Sequence, residues 1–333
     1  MRVTLGVAVL VLASSACGMS FHAPWEDGRL APYHDACNHG SAEACFNLAV
    51  KYDAGSDGTT RNPAAAASLY RKACEAGSAP GCANLASMLD KGEGVARDDV
   101  EALSSYRKAC EQGDGNGCHG LSRGYANGRG IARDPVQAAA VAAKACNLGQ
   151  ALDCEGLGDS AASGRDVPRD LAGAAAFYRK ACELDAPTAC RKLGAMVAAG
   201  EGVPKDPAEA TSLFRRALPG LERTCEAGAA PACVLVGSML DRGQGITADP
   251  ERALLLFKKA CDAGLAGGCT AAGMKLEGGH GLPADPAQAA ALYRRACDAG
   301  SAAACTLLGN LAAKPAPAPA GATDGGVAPT PPG

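Results

Sequence analysis

The sequence predicts an all-α solenoid of disulfide-bridged helical hairpins with a period of about 36 residues. Three observations carry this: cysteine pairs recurring at one fixed spacing, a helix-period apolar stripe after each second cysteine, and Asp-Pro or Asn-Pro steps between the pairs. A chain of 333 residues would ordinarily suggest two or three globular domains. A repeat array replaces that expectation.

The cysteines come first. Cys37 and Cys45, Cys74 and Cys82, Cys110 and Cys118, Cys146 and Cys154, Cys182 and Cys190, Cys225 and Cys233, Cys261 and Cys269, and Cys297 and Cys305 are each spaced i, i+8. An even set in an exported chain points to disulfides, and it leaves Cys17 as the odd one. Zinc sites need two close ligand pairs within reach of each other, whereas these pairs recur some 36 residues apart and only five histidines exist. His34, Cys37 and His39 cluster locally, but Cys37 has its own partner in Cys45. No metal and no cofactor is expected. A ring of about nine residues stabilises by roughly 2–3 kcal/mol in the chain-entropy account. Eight such rings offset a core with 4 % aromatic residues and the single tryptophan Trp25.

Each unit reads as helix A, turn, helix B. Helix A is expected to open at the second cysteine, with apolar positions three, four and seven residues on, as in Leu85, Ala86 and Leu89 or Leu193, Gly194 and Val197. A G-x-G turn such as Gly92-Glu93-Gly94 stops it where positive φ costs least. Asn62-Pro63, Asp134-Pro135, Asp206-Pro207, Asp249-Pro250 and Asp285-Pro286 then start helix B as N-cap and first helical residue. Seven complete hairpins and a terminal helix to about Ala313 follow. First cysteines lie 36 or 37 residues apart, except for one interval of 43 between Cys182 and Cys225. There Leu218–Thr224 is inserted, and Pro219-Gly220 argues for a break or kink.

Four segments result: a signal peptide over 1–16, an N-terminal linker with an irregular first segment over 17–36, the solenoid over 37–313, and a disordered Pro/Ala-rich tail over 314–333. Arg2 precedes an apolar run, Val3 to Ala13, that is too short to span a bilayer. Ser14-Ser15-Ala16-Cys17 resembles a lipobox in which Cys17 is lipidated, although Ser14 stands where such boxes carry Leu; the small residues also suit ordinary signal-peptidase cleavage. The net charge of −3, with both signs interspersed, offers no basic field for nucleic acid.

The period, the G-x-G and Asp-Pro steps, Tyr106-Arg107-Lys108-Ala109-Cys110 and the cysteine spacing together resemble the Sel-one-like repeat family, relatives of the tetratricopeptide repeat. The even cysteine pairs are similar to those of the Helicobacter cysteine-rich proteins. The resemblance covers about residues 37–313 and implies a right-handed solenoid that acts as an adaptor for proteins or peptides. It also implies an alternative: penicillin or peptidoglycan-fragment binding with weak β-lactamase-type hydrolysis.

That alternative needs S-x-x-K with S-D-N and K-T-G elements. Ser105-Tyr106-Arg107-Lys108 matches the first, but it aligns with Leu69-Tyr70-Arg71-Lys72 and Phe177-Tyr178-Arg179-Lys180, where a core-like residue replaces the serine. Neither K-T-G nor S-D-N occurs, so no catalytic residue is assigned. The dibasic ladder on helix B, from Arg71-Lys72 to Arg294-Arg295, reads as a solvated face in weak pairs with Glu75, Glu111, Glu183, Asp262 and Asp298 three or four residues on. The candidate binding surface is the side of helix A opposite the core stripe, expected to be concave. It carries Asn47, Asn84, Ser87, Lys91, Arg123, Asn127, Asp159, Lys192, Ser238, Arg242 and Met274. The chain is thus expected to be an exported, lipid-anchored, monomeric scaffold for a protein or peptide partner in the bacterial envelope. Its expected address is the outer membrane, the periplasm or the exterior, and it meets a membrane only through an N-terminal lipid.

Overall fold

The structure, a computed structural model, describes residues 30–56 and 58–313. The segment read as a signal peptide, Cys17 and the Pro/Ala-rich tail lie outside the described residues. The chain divides into two compact units, one ending at Val141 and the other beginning at Ala142. The first holds α1 (Ala31–Asn38), α2 (Ala42–Ala54), α3 (Pro63–Glu75), α4 (Ala79–Lys91), α5 (Asp99–Glu111), α6 (Gly115–Asn127) and the start of α7 (Pro135–Asn147). The second holds the rest of α7, then α8 (Ala151–Ser163), α9 (Leu171–Glu183), α10 (Pro187–Ala199), α11 (Pro207–Glu226), α12 (Ala230–Arg242), α13 (Pro250–Asp262), α14 (Ala266–Gly278), α15 (Pro286–Asp298) and α16 (Ala302–Ala313). No strand occurs among the described residues. Even-numbered helices are the A helices and odd-numbered ones the B helices, giving the seven hairpins and terminal helix expected.

Local chemistry sets the helix ends. The Asp206 carboxylate accepts from the Ala208 and Glu209 amides at 2.8 and 2.9 Å, and Asn62, Asp98, Asp170, Asp249 and Asp285 cap their helices in the same way. Helix A begins three residues before its cysteine rather than at it: Ala42 precedes Cys45 and Ala79 precedes Cys82. Ser41, Ser78 and Asp114 explain the early start in α2, α4 and α6, because each side chain accepts an N–H of the first turn. Eight disulfides join each helix B to the next helix A, with Cα atoms 4.4 to 4.8 Å apart.

The scarcity of aromatic residues is met by placing them at one register. Tyr70, Tyr178, Phe214, Phe257 and Tyr293 are buried on helix B. In the second unit each such ring packs onto a glycine four residues after the helix A cysteine. A Cβ at Gly158 would lie 2.6 Å from the Tyr178 ring, and Gly194, Gly237 and Gly273 bear the same relation to Phe214, Phe257 and Tyr293. In α7 the ring position is Ala142, and the division between the units falls there. The two glycines of the G-x-G turn differ in their tasks. Gly92 is the left-handed cap of α4, whereas a Cβ on Gly94 would sit 2.3 Å from the Pro63 carbonyl, so the second glycine lets consecutive hairpins approach.

Two expectations are corrected. The described end of the segment before Cys37 is helical: from Ala31, α1 forms a B-type helix whose Cys37 is bridged to α2. The insertion at Leu218–Thr224 produces no break, and α11 runs through Pro219 for 20 residues. Seven extra residues are nearly two turns, so Ala217, Leu221 and Cys225 at i, i+4 and i+8 all stay buried. Gly220 gives the lengthened helix room to pass Pro187, which a Cβ would approach to 2.9 Å.

Candidate functional site

The candidate face is built by successive A helices, and its residues divide by what holds them. In the first unit, Asn84 lies beside the Tyr70 hydroxyl, and Ser87 beside that of Tyr106. Asn47 is half-buried beside Tyr33, and Lys91 is exposed. Arg123 and Asn127 are exposed and share a cleft with Asp90, Tyr106 and Arg129. Arg129 is already spoken for, with contacts of 2.7 Å to Asp90 and 3.2 Å to Asp99. Arg123 is therefore the cation there that no ion pair engages.

In the second unit, Asp159 and Lys192 belong to one network. Lys192 Nζ reaches Glu155 at 2.7 Å and Asp159 at 2.6 Å, and it sits over the Tyr178 ring. The Tyr178 hydroxyl donates to Asp159 at 2.6 Å, and Thr188 donates to Glu155 at 2.6 Å. Burial raises the Tyr178 phenol, and its hydrogen bond to Asp159 raises it further. Burial works against the Lys192 charge, yet Asp159 and Glu155 hold its pKa above the usual lysine value. These two residues act as a brace between α8 and α10. Ser238, Arg242 and Met274 come together along a cleft of about 560 Å³, whose walls include Phe257, His280 and Leu307.

Two residues of this face escaped the sequence pattern. Lys275 is 5 % exposed and ion-paired with Asp241. It stands six residues after its cysteine, where Met88, Met196 and Met239 fill the core of their helices. A lysine in a methionine register was the available signal. Arg191 follows Cys190 directly, outside the positions two, five and nine residues on, and its signal was a strong cation where other repeats carry Phe46, Ala83 or Val234.

The helix B ladder is not the set of intrahelical pairs expected. Its first members reach forward, Arg71 to Glu101 at 2.9 Å and Arg179 to Glu209 at 3.0 Å. Its second members reach back: Lys108 to the Cys74 carbonyl at 2.6 Å, Lys259 to the Cys225 carbonyl at 3.2 Å, and Arg295 to the Cys261 carbonyl at 3.4 Å. Lys180 likewise donates to Asn147, and Arg216 to Glu183 and Asp185. The ladder clasps neighbouring hairpins. Ser105, 8 % exposed within α5, lies in the helix B core register. Among the described residues no cluster of His, Cys, Asp and Glu could hold a metal ion, and no helix is long and apolar enough to cross a membrane.

Comparison with solved structures places this geometry in context. A protective antigen present in uropathogenic Escherichia coli strains, displaying an SLR fold, is 28 % identical, with a TM-score of 0.67 over 84 % of this chain. The match spans only 58 % of the length of that protein. A Sel1 repeat protein from Oxalobacter formigenes shares the fold at 24 % identity, with a TM-score of 0.57 over 85 % of this chain and 79 % of that one. Helicobacter pylori cysteine rich protein B is 33 % identical, with a TM-score of 0.31, over 42 % of this chain and 95 % of its own. None of the curated proteins compared matches the chain. The Sel1 repeat profile matches seven times, at residues 42–78, 79–114, 116–150, 154–185, 187–218, 230–265 and 268–301. Those segments follow the observed hairpins one for one, and the chain belongs to the Sel1 repeat family.

Proposed function

We propose that the protein is an exported scaffold that holds a protein or peptide partner on the outward face of its A helices. The carrying observation is that this face presents polar and charged side chains on a backbone locked by a disulfide at every hairpin junction. Sel1-repeat proteins generally bind protein partners. Eight disulfides suit an oxidising, exported location. They use every cysteine but Cys17, which supports a lipid anchor there and attachment to the bacterial envelope. A monomer fits the reading, since each hairpin already has neighbours to bury its apolar stripe.

The test is crosslinking in intact cells followed by isolation of the envelope fraction, with parallel fatty-acid labelling. A defined protein partner should be recovered, and Cys17→Ser should remove the label. Recovery of only nonspecific envelope proteins would sink the scaffold reading. A soluble product with unmodified Cys17 would sink the anchor and leave the scaffold in place.

A further inference from the structure

In the second unit the ring of each helix B from α9 to α15 is seated on the glycine four residues after the cysteine of the helix A before it. Gly309 on α16 stands at the same place after Cys305, yet among the described residues no atom lies within 4 Å of where its Cβ would be. The rest of that face agrees. Ala312 is exposed where Val197, Leu240 and Leu276 are buried, and Cys305 is exposed where Cys190, Cys233 and Cys269 are buried. A terminal repeat ordinarily turns a polar face outward. This one turns out the receiving stripe of a helix A, with its ring slot open.

Two charges at the same end are unmet. The first member of the helix B ladder reaches forward to the residue five positions before the next ring: Arg179 to Glu209, ahead of Phe214, and Lys258 to Gln288, ahead of Tyr293. Arg294 is that member on α15; it is exposed, and among the described residues it has no hydrogen bond or ion pair. Asp262, next after Cys261, receives Arg295, which stands two residues past the Tyr293 ring. Asp298, next after Cys297, is exposed and receives nothing among the described residues. The three vacancies fit one helix that carries an acid, an aromatic residue five positions on, and a base two positions after that. Glu209, Phe214 and Arg216 of α11 have this pattern. Residues 314–333 do not offer it, since they hold six prolines and no aromatic side chain. Nor does a second copy: α1 has Tyr33 at the ring register, but Asp35 stands where the base belongs and would face Asp298. We propose that α15 and α16 dock an amphipathic helix of a separate protein, its aromatic ring on Gly309, its acid on Arg294 and its base on Asp298. This surface is distinct from the outward face of the A helices, and either can fail without the other.

The test uses the intact, disulfide-bonded protein and a peptide copied from the chain itself, so it does not depend on finding the cellular partner. The probe is the fluorescein-labelled sequence of residues 206–218, which contains no cysteine. A lactam between positions 208 and 212, both exposed in α11, holds it helical. Fluorescence anisotropy should show saturable binding, and a Phe214→Ala peptide should bind at least tenfold more weakly. In the protein, Gly309→Leu fills the slot with a better helix former, so it should keep Tm and weaken binding at least tenfold. Arg294→Glu should weaken binding several-fold, and a Glu209→Lys peptide should recover most of that loss. The charge swap decides the matter even if Gly309→Leu folds poorly. No saturable binding, equal binding of the Phe214→Ala peptide, or Arg294→Glu without effect would each overturn the site. Sedimentation that shows self-association abolished by Arg294→Glu would assign the face to a second copy and overturn it too.

Discussion

The Lys108 ammonium donates to the main-chain carbonyl of Cys74 at 2.6 Å, so one helix B closes the C-terminal end of the helix B before it. Cys74 lies in the last turn of α3, where carbonyls lack intrahelical donors and the helix dipole favours a cation. The same reach recurs from Lys259 to Cys225 and from Arg295 to Cys261. Lys108→Met should keep the stem and lose the clasp. We expect a loss of about 1 kcal/mol, below the full range for a charged hydrogen bond because the site is partly solvated. Arg71→Gln removes only an exposed ion pair and should stay within about 0.5 kcal/mol. Urea melts of the two variants decide it. Equal losses would mean the backward reach contributes nothing special.

The disulfides carry the second expectation. Peptide mapping without reduction should recover all eight i, i+8 pairs and leave Cys17 out of every bridge. Reduction should lower Tm strongly, because the core relies on Ala and Gly contacts and has few large side chains to hold the junctions. Free thiols at several pairs, or zinc in the purified protein, would contradict this.

Alkali supplies the third. Phenols of the unfolded chain ionise near pH 10, whereas Tyr70 is pushed up to about 12, chiefly by burial, and Tyr178 and Tyr293 are raised as well. Between those values the unfolded chain gives up protons that the fold retains. Stability that is complete below pH 10 should therefore decline as pH climbs toward 12. Tyr178→Phe should lose about 1 kcal/mol at pH 8, through its bond to Asp159, and should show a shallower decline. Denaturant midpoints from pH 8 to 11 measure both effects. A Tyr178→Phe profile parallel to the wild type would refute the assignment.

Much of this architecture was legible because each repeat obeys local rules. Asp206-Pro207 is a cap and first-turn signal whatever surrounds it, and Cys182 with Cys190 reports a junction of fixed length. What depended on neighbours was not legible. Pro219 read as a breaker because its lost hydrogen bond is local, while the burial of Leu221 that favours a continuous α11 is tertiary. Arg107-Lys108 resembled a solvated pair because its partners, Tyr125 and the Cys74 carbonyl, lie in other hairpins. On the candidate face, periodicity placed these residues on one side of helix A but could not separate Arg242, which makes no hydrogen bond or ion pair, from Lys192, which two carboxylates hold.

That separation shapes the last prediction, on where a partner binds. A repeat scaffold spreads its affinity over several hairpins, so single changes act weakly and pairs are needed. Lys192 is a poor choice, because Lys192→Ala would strand Glu155 and Asp159 and confuse binding with folding. Arg123 and Asn127 in the first unit are exposed beside a small hollow, Arg242 and Met274 in the second line an open cleft, and none of the four holds a core position. Arg123→Ala with Asn127→Ala, and Arg242→Ala with Met274→Ala, should leave helicity unchanged and stability within about 0.5 kcal/mol per site. Each pair should lower the crosslinked yield of the partner several-fold. The control is Arg179→Ala with Lys180→Ala, which removes contacts to Glu209 and Asn147 on the helix B side. It should cost a little stability and leave partner capture intact. If the control pair abolishes capture while both cleft pairs are silent, the partner lies along the helix B ladder and the helix A face is only a solvated surface.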